Sequence, residues 1–230
     1  MLLENIDYLV TQNPEREILE EVDVLVRGGE IAGIGRGIDV EDEVRDMSGK
    51  LVMPGLVNAH THAPMALFRG ISDNKPLQEW LEEDIFPAEE ELEEEDAYLG
   101  TLLAAVEMLE TGTTCFNEMY FHVSVIAEAV EEAGIRAVIG RGLTDIEGEK
   151  EEDLEAAEQF IQSWQGSELI TPAVAPHSVY TCSGDLLQQS RQLADRYGTL
   201  YHIHLSETRR ENLEFMVESG GKTPAEYLYE

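Results

Sequence analysis

The rhythm of apolar and polar positions changes once along the chain. Between residues 6 and about 53 the apolar positions come in short runs: Val22-Asp23-Val24-Leu25-Val26 alternates, Gly28-Gly29 turns the chain, and Glu30-Ile31-Ala32-Gly33-Ile34-Gly35 returns. Period-two runs about a glycine pair predict a β-hairpin. From Leu56 onward short apolar strands alternate with longer segments of helical period, the pattern of βα units on a parallel sheet. Five units are predicted, with strands at 56–58, 113–116, 136–140, 170–175 and 200–204 and helices near 89–110, 123–133, 151–165, 185–197 and 211–218. Gly112, Gly134 and Gly198 stand where three of these helices stop, the usual place for a residue that accepts a left-handed backbone. Thr223-Pro224-Ala225-Glu226 opens one more helical turn.

Two of the predicted strands deliver pairs of histidines. Pro54-Gly55 leads into Leu56-Val57 and then His60-Thr61-His62, and far downstream Tyr201 leads into His202-Ile203-His204 and on to Glu207. A spacing of two points both imidazoles of a strand the same way. Neutral imidazole is the commonest protein ligand for zinc-like ions, and the carboxyl ends of parallel strands are where barrel enzymes hold their chemistry. A lone His-x-His is more often structural, but two such strand ends in one chain are hard to explain as packing.

Charge excludes one class of partner. The 230 residues carry 48 Asp and Glu against 15 Lys and Arg, a net charge of -33, so nucleic acid is not expected to bind. The acids are spread from Glu15 to Glu230 among a 43% hydrophobic share, which describes an acidic surface on a folded protein rather than an acidic tail. Lysine is confined to Lys50, Lys75, Lys150 and Lys222. Such a surface suits a salt-rich cytoplasm, since at ~1 M salt the screening length falls to ~3 Å and self-repulsion is largely removed. No stretch approaches the ~20 apolar residues of a membrane span, and the N-terminus has no signal-peptide pattern, so a cytoplasmic protein without a membrane partner is expected. Cys115 and Cys182 are far apart without a Cys-x-x-Cys motif and are expected to be reduced.

Five segments carry a resemblance: PGLVNAHTHAPMALFRG at 54–70, LQEWLEEDIFPAE at 77–89, GTTCFNEMYF at 112–121, APHSVYTCS at 175–183 and HIHLSET at 202–208. In this order and spacing the chain resembles the amidohydrolase superfamily, and within it the deaminases of S-adenosylhomocysteine, methylthioadenosine and 5'-deoxyadenosine. The resemblance implies an α/β fold of TIM-barrel type, with about five of its eight βα units at 54–230, preceded at 1–53 by the N-terminal part of a small composite β-sandwich.

It also implies roles. His60, His62 and His204 would hold one divalent metal, zinc most readily, with iron also compatible. A second metal would need the carboxylated lysine of binuclear members, and Thr171-Pro172-Ala173-Val174-Ala175 offers none. Glu207 would carry the proton to a purine ring nitrogen while water attacks the amino-bearing carbon, releasing ammonia. Glu89 matches a family residue that binds ribose hydroxyls, and His177 one that contacts the substrate near its reacting end. Trp80 is expected against the substrate or as a loop anchor. Arg141 is expected at a substrate carboxylate, at a neighbouring subunit or in a surface ion pair. His202 is expected inside the barrel with hydrogen-bonded nitrogens, and His122 beside the ligands or at the substrate's edge. The alternatives are another amidohydrolase, of guanine or cytosine deaminase or triazine chlorohydrolase type, and a non-catalytic fragment or partner subunit. The last arises because the family's metal-shell histidine after strand six and aspartate after strand eight have no counterpart here. A homo-oligomer or a C-terminal companion chain is therefore expected, with a purine nucleoside and water as the small-molecule partners.

Overall fold

Strand β1 (Leu2–Val10) is the spine of the first of two units, Met1–Gly55 and Leu56–Glu230. The computed structural model describes residues 1–41, 43–145 and 150–230. β1 pairs antiparallel with β2 (Ile18–Arg27), which turns through Gly28-Gly29 into antiparallel β3 (Glu30–Gly35). Both glycines have positive φ, 58° and 80°, the backbone that a two-residue hairpin turn of matching twist requires. On its other edge β1 takes two short parallel partners, β4 (Val44–Asp46) and β5 (Leu51–Val52). Ile6, Leu9, Val22 and Val24 form the core of this unit.

The alternating run in β2 holds one departure. Asp23 is buried, at 5% exposure. Its Oδ1 accepts the Asn5 amide at 3.0 Å, at a bulge of β1 where Asn5 has φ 60°, and its Oδ2 accepts the Ile38 amide at 3.1 Å. Burial works against the charge, but the amides of Asn5, Ile38 and Gly37 outweigh it and hold the carboxyl below the ordinary aspartate range. Asp23→Ala is therefore expected to cost about 2 kcal/mol in urea unfolding near neutral pH, the scale of hydrogen bonds to a buried charge. A depressed folded pKa gives stability that is present above the unfolded value and lost as pH falls through the folded one. The gap between wild type and variant should accordingly close in strong acid, and a gap independent of pH would count against this role.

The second unit is α/β. Its sheet has five parallel strands in sequential order: β6 (Leu56–Thr61), β7 (Thr113–Tyr120), β8 (Arg136–Leu143), β9 (Ile170–Pro176) and β10 (Leu200–Tyr201). It is a partial barrel with β6 and β10 as its edges. Between β6 and β7 the chain makes a 3₁₀ turn at Ala63–Phe68 and two short helices, α1 (Leu77–Trp80) and α2 (Phe86–Glu89), joined by a π-helical turn at Leu81–Ile85. The helix α3 (Glu94–Glu110) then begins at a capping box of Glu93 and Asp96, later than the 89 expected from sequence. Four more follow in order: α4 (Val123–Ala133), α5 (Lys150–Trp164), α6 (Gly184–Tyr197) and α7 (Arg209–Glu218), with a final turn α8 (Pro224–Tyr229). The left-handed caps at Gly134 and Gly198 fall where the sequence places them.

Two layers of core pack against this sheet. Phe116, Tyr120, Ile126, Val130, Ile139 and Phe160 hold β7 and β8 to α4 and α5, and Leu143, Ile161, Val174, Leu186 and Leu193 hold β9 to α5 and α6. The edges are less covered: Leu56 and Val57 on β6, Leu200 on β10 and the stripe Leu99, Leu103 and Val106 on α3 are exposed. No described helix is long and apolar enough to cross a membrane.

Candidate active site

β6 does not run straight into its histidines. It pairs Asn58 with Phe116 and then Thr61 with Glu118, so three steps along β6 match two along β7. This bulge re-aims the side chains that follow it. The Nε2 atoms of His60 and His62 lie 3.4 Å apart. His204, just beyond β10, brings its Nε2 to 3.2 Å from that of His60. The predicted fifth strand is shorter than expected because an edge strand has one partner only. Even so, His202 and His204 donate their amides to the carbonyls of Val174 and His177, at 3.1 and 2.9 Å, and keep the line of β10.

Two of the three donor spacings, those to His60, match a tetrahedral ion. With metal–nitrogen bonds near 2.05 Å, ligand nitrogens of such a site stand about 3.3 Å apart. The far side of two rings is already fixed. His62 Nδ1 lies 2.7 Å from the Met119 carbonyl and His204 Nδ1 3.2 Å from the His177 carbonyl. A carbonyl only accepts, so each Nδ1 carries the proton and each Nε2 presents its lone pair to the centre. Burial lowers the pKa of His62 and His204, which favours the neutral ligand form. Among the described residues His60, His62 and His204 are the one group of three or more such side chains with ligand atoms this close, within 4.8 Å of one another.

A cavity of about 290 Å³ opens beside them, lined by Trp80, Glu89, His177, Tyr180 and Glu207 together with the three histidines. Met65, Leu77, Leu81, Ile85 and Phe86 form its apolar wall. Two phenols organise its acids. Tyr180 donates to Glu207 Oε2 at 3.0 Å, and Tyr120 donates to Glu89 Oε1 at 2.7 Å, so each phenol engages one oxygen of its carboxyl. Burial raises the pKa of Glu89 against the Tyr120 bond. His177 places Nδ1 against the hydroxyls of Ser178 and Thr181, at 3.2 and 2.9 Å, and burial pushes its pKa down to about 4.

Arg141 is not brought to this cavity. Along β8, Gly142 faces it while Arg141, one residue earlier, faces the helix layer and holds Asp153 of α5 at 2.6 Å. The period of a strand decides this, and the guanidinium is engaged by Asp153. Arg141 instead lines a separate cavity with Glu94 and His122. His202 is interior, as expected, but its ring nitrogens have no hydrogen-bond partner among the described residues. Sequence reasoning missed Tyr120, Tyr180 and Glu118. Glu118 is fully buried, and desolvation pushes its pKa up to about 8 despite bonds from Ala63 and Thr61.

Parallel βα units that converge three histidines at their carboxyl edge form a site able to hold one divalent metal ion. Residues 51–230 match the amidohydrolase family, and the chain belongs to it. It is 43% identical over 233 residues to a 5-methylthioadenosine/S-adenosylhomocysteine deaminase of Thermodesulfovibrio yellowstonii, covering 96% of this chain and 53% of that one. It is 46% identical over 195 residues to a 5'-deoxyadenosine deaminase of Methanopyrus kandleri, covering 84% and 45%. Its structure superposes on a zinc-bound adenosine deaminase of Xanthomonas campestris with TM-score 0.87 and 34% identity, over 99% of this chain and 54% of that one. The chain thus spans about half the length of these relatives.

Proposed function

We propose that this chain carries the metal- and substrate-binding half of a hydrolytic deaminase of adenosine-type nucleosides: S-adenosylhomocysteine, methylthioadenosine or 5'-deoxyadenosine. The observation that carries this reading is a carboxylate, Glu207, that lines one cavity with His60, His62 and His204 while standing outside their donor cluster. The deaminase relatives support it. Zn2+ is the proposed ion, since three imidazole nitrogens, with those of His62 and His204 at 3.4 and 3.2 Å from that of His60, suit it. When bound, such an ion makes water nucleophilic near neutral pH.

The protein's own groups do the rest. Glu207, held at Oε2 by Tyr180, uses its other oxygen to take a proton from the attacking water and pass it to the ring nitrogen beside the amino-bearing carbon, the water's second proton leaving with the amine. Water adds at that carbon, ammonia leaves, and the hypoxanthine nucleoside remains. Neutral His177 offers Nε2 near the reacting end, Glu89 accepts the ribose hydroxyls through its free Oε2, and Trp80 packs on the substrate. The exposed Leu56, Val57, Leu99, Leu103 and Val106 form the surface on which the remaining barrel strands and helices pack, in the same polypeptide or in a companion chain. Ammonia release and ultraviolet absorbance over the three nucleosides, with this chain and its barrel-completing partner present, test the reading. Turnover of guanine, cytosine or a chlorotriazine in their place would overturn it.

The acidic surface is proposed as an adaptation to salt. Melting should rise between dilute buffer and molar potassium chloride, because the -33 charge repels itself unless screened. An unchanged melting temperature would count against it.

A further inference from the structure

The bulge at 59–60 leaves a mechanical question. A ligand pair must be held to fractions of an ångström, yet His60 and His62 sit where regular pairing of β6 with β7 has just slipped. The segment therefore needs a tether other than the strand ladder. The geometry points to Glu118 as a positioning residue that clamps this segment from behind and fixes both histidines toward their metal.

Glu118 faces the helix side of β7, between Phe116 and Tyr120, where all three are buried. Its Oε2 reaches across to β6 at two places. It lies 2.9 Å from the hydroxyl of Thr61, between the two histidines, and it accepts the Ala63 amide at 2.6 Å, directly after the second. Thr61 is also tied to the Asn117 carbonyl at 2.8 Å. One carboxyl oxygen thus brackets His62 on both sides, while the Met119 carbonyl, next along β7, orients its ring. A single short stretch of β7 sets the backbone of the ligand segment and the ring of one ligand.

Fold stability alone does not call for an acid there. Oε1 has no hydrogen-bond partner among the described residues, and a carboxyl with one bare oxygen in an apolar layer is costly. An apolar side chain of similar size would suit such a layer as well or better. What an apolar side chain could not do is hold the Thr61 hydroxyl and the Ala63 amide together. Groups that orient ligands without touching the metal typically carry a 10–100-fold effect on its affinity.

This inference rests on the metal reading of the three histidines, and the experiment separates the two. Zn2+ affinity of the barrel-completed enzyme is measured by competition with a chromophoric chelator, and the Co2+ form is examined by visible absorption, for wild type, Glu118→Ala, Glu118→Gln and Thr61→Val. Glu118→Ala should weaken Zn2+ binding about 10–100-fold and alter the Co2+ bands. Glu118→Gln keeps an acceptor oxygen for the Ala63 amide and should restore most of the affinity and the spectrum. Thr61→Val removes one tether, leaves the carboxyl in place, and should fall between; it carries the test if Glu118→Ala does not fold. Wild-type affinity and spectrum in Glu118→Ala, or in Thr61→Val where Glu118→Ala fails to fold, overturn the inference and leave the metal reading standing. A Glu118→Gln as weak as Glu118→Ala also overturns it. Failure of the wild type to bind Zn2+ overturns the metal reading first.

Discussion

Glu207→Gln is expected to keep the metal and to lose deamination by about 10²–10⁴-fold, the range for removing a positioned proton carrier. The residue lines the cavity beside the histidines but adds no atom to their donor cluster, so its loss removes no ligand. Glutamine preserves the shape and the acceptor for the Tyr180 hydroxyl that now bonds Oε2 at 3.0 Å, so the side chain should stay where it is. His204→Ala is the contrast. It takes one corner from a triangle whose sides to and from His60 are 3.2 and 3.4 Å, and two imidazoles do not make a closed half-shell. Metal content by elemental analysis and turnover by ammonia release, both on the barrel-completed enzyme, distinguish the pair. Equal metal loss in the two variants would remove Glu207 from the proton-carrying role and make it a ligand.

Much of this arrangement is legible before any coordinates, for identifiable reasons. The hairpin through Gly28-Gly29 is local, since two left-handed residues between alternating strands leave the chain few other courses. The strands at 136–140 and 170–175 carry the apolar runs Ala137-Val138-Ile139 and Pro172-Ala173-Val174-Ala175, largely buried under helices, and such runs declare themselves. What the sequence hides is register and tertiary reach. A bulge in β6 has no residue signature, so the slip that re-aims His60 could not be read. Arg141 can be read as a substrate cation, a subunit contact or an ion-pair residue until the parity of β8 turns it to Asp153, and parity depends on where the strand starts to pair. Glu118 reads as one more acid in a chain of 48, and only burial separates it from the solvated ones. Tyr120 and Tyr180 reach Glu89 and Glu207, 31 and 27 residues away, contacts no local pattern contains.

Gly100→Ala should destabilise the second unit by about 3 kcal/mol, near the upper end for forcing a methyl into a filled core. Elsewhere on a helix the change would help, since alanine is better than glycine by about 1 kcal/mol. Here the sign reverses. A Cβ on Gly100 would stand 2.4 Å from the Pro64 carbonyl oxygen, 2.9 Å from its Cα and 3.0 Å from its carbonyl carbon. All three atoms are backbone, so no side-chain rotation relieves them, and either α3 or the 3₁₀ turn must move. The turn is the lighter element, and it is tied to the site: Met65 donates its amide to the His62 carbonyl at 2.9 Å, and the Ala63 amide is held by Glu118. A displaced Pro64 therefore pulls on His62 from its carboxyl side. Urea unfolding should show the lost stability, and chelator competition should show weaker Zn2+ binding in the fraction that remains folded. A Gly100→Ala protein more stable than wild type would mean that α3 and the turn are not packed as closely as these distances state.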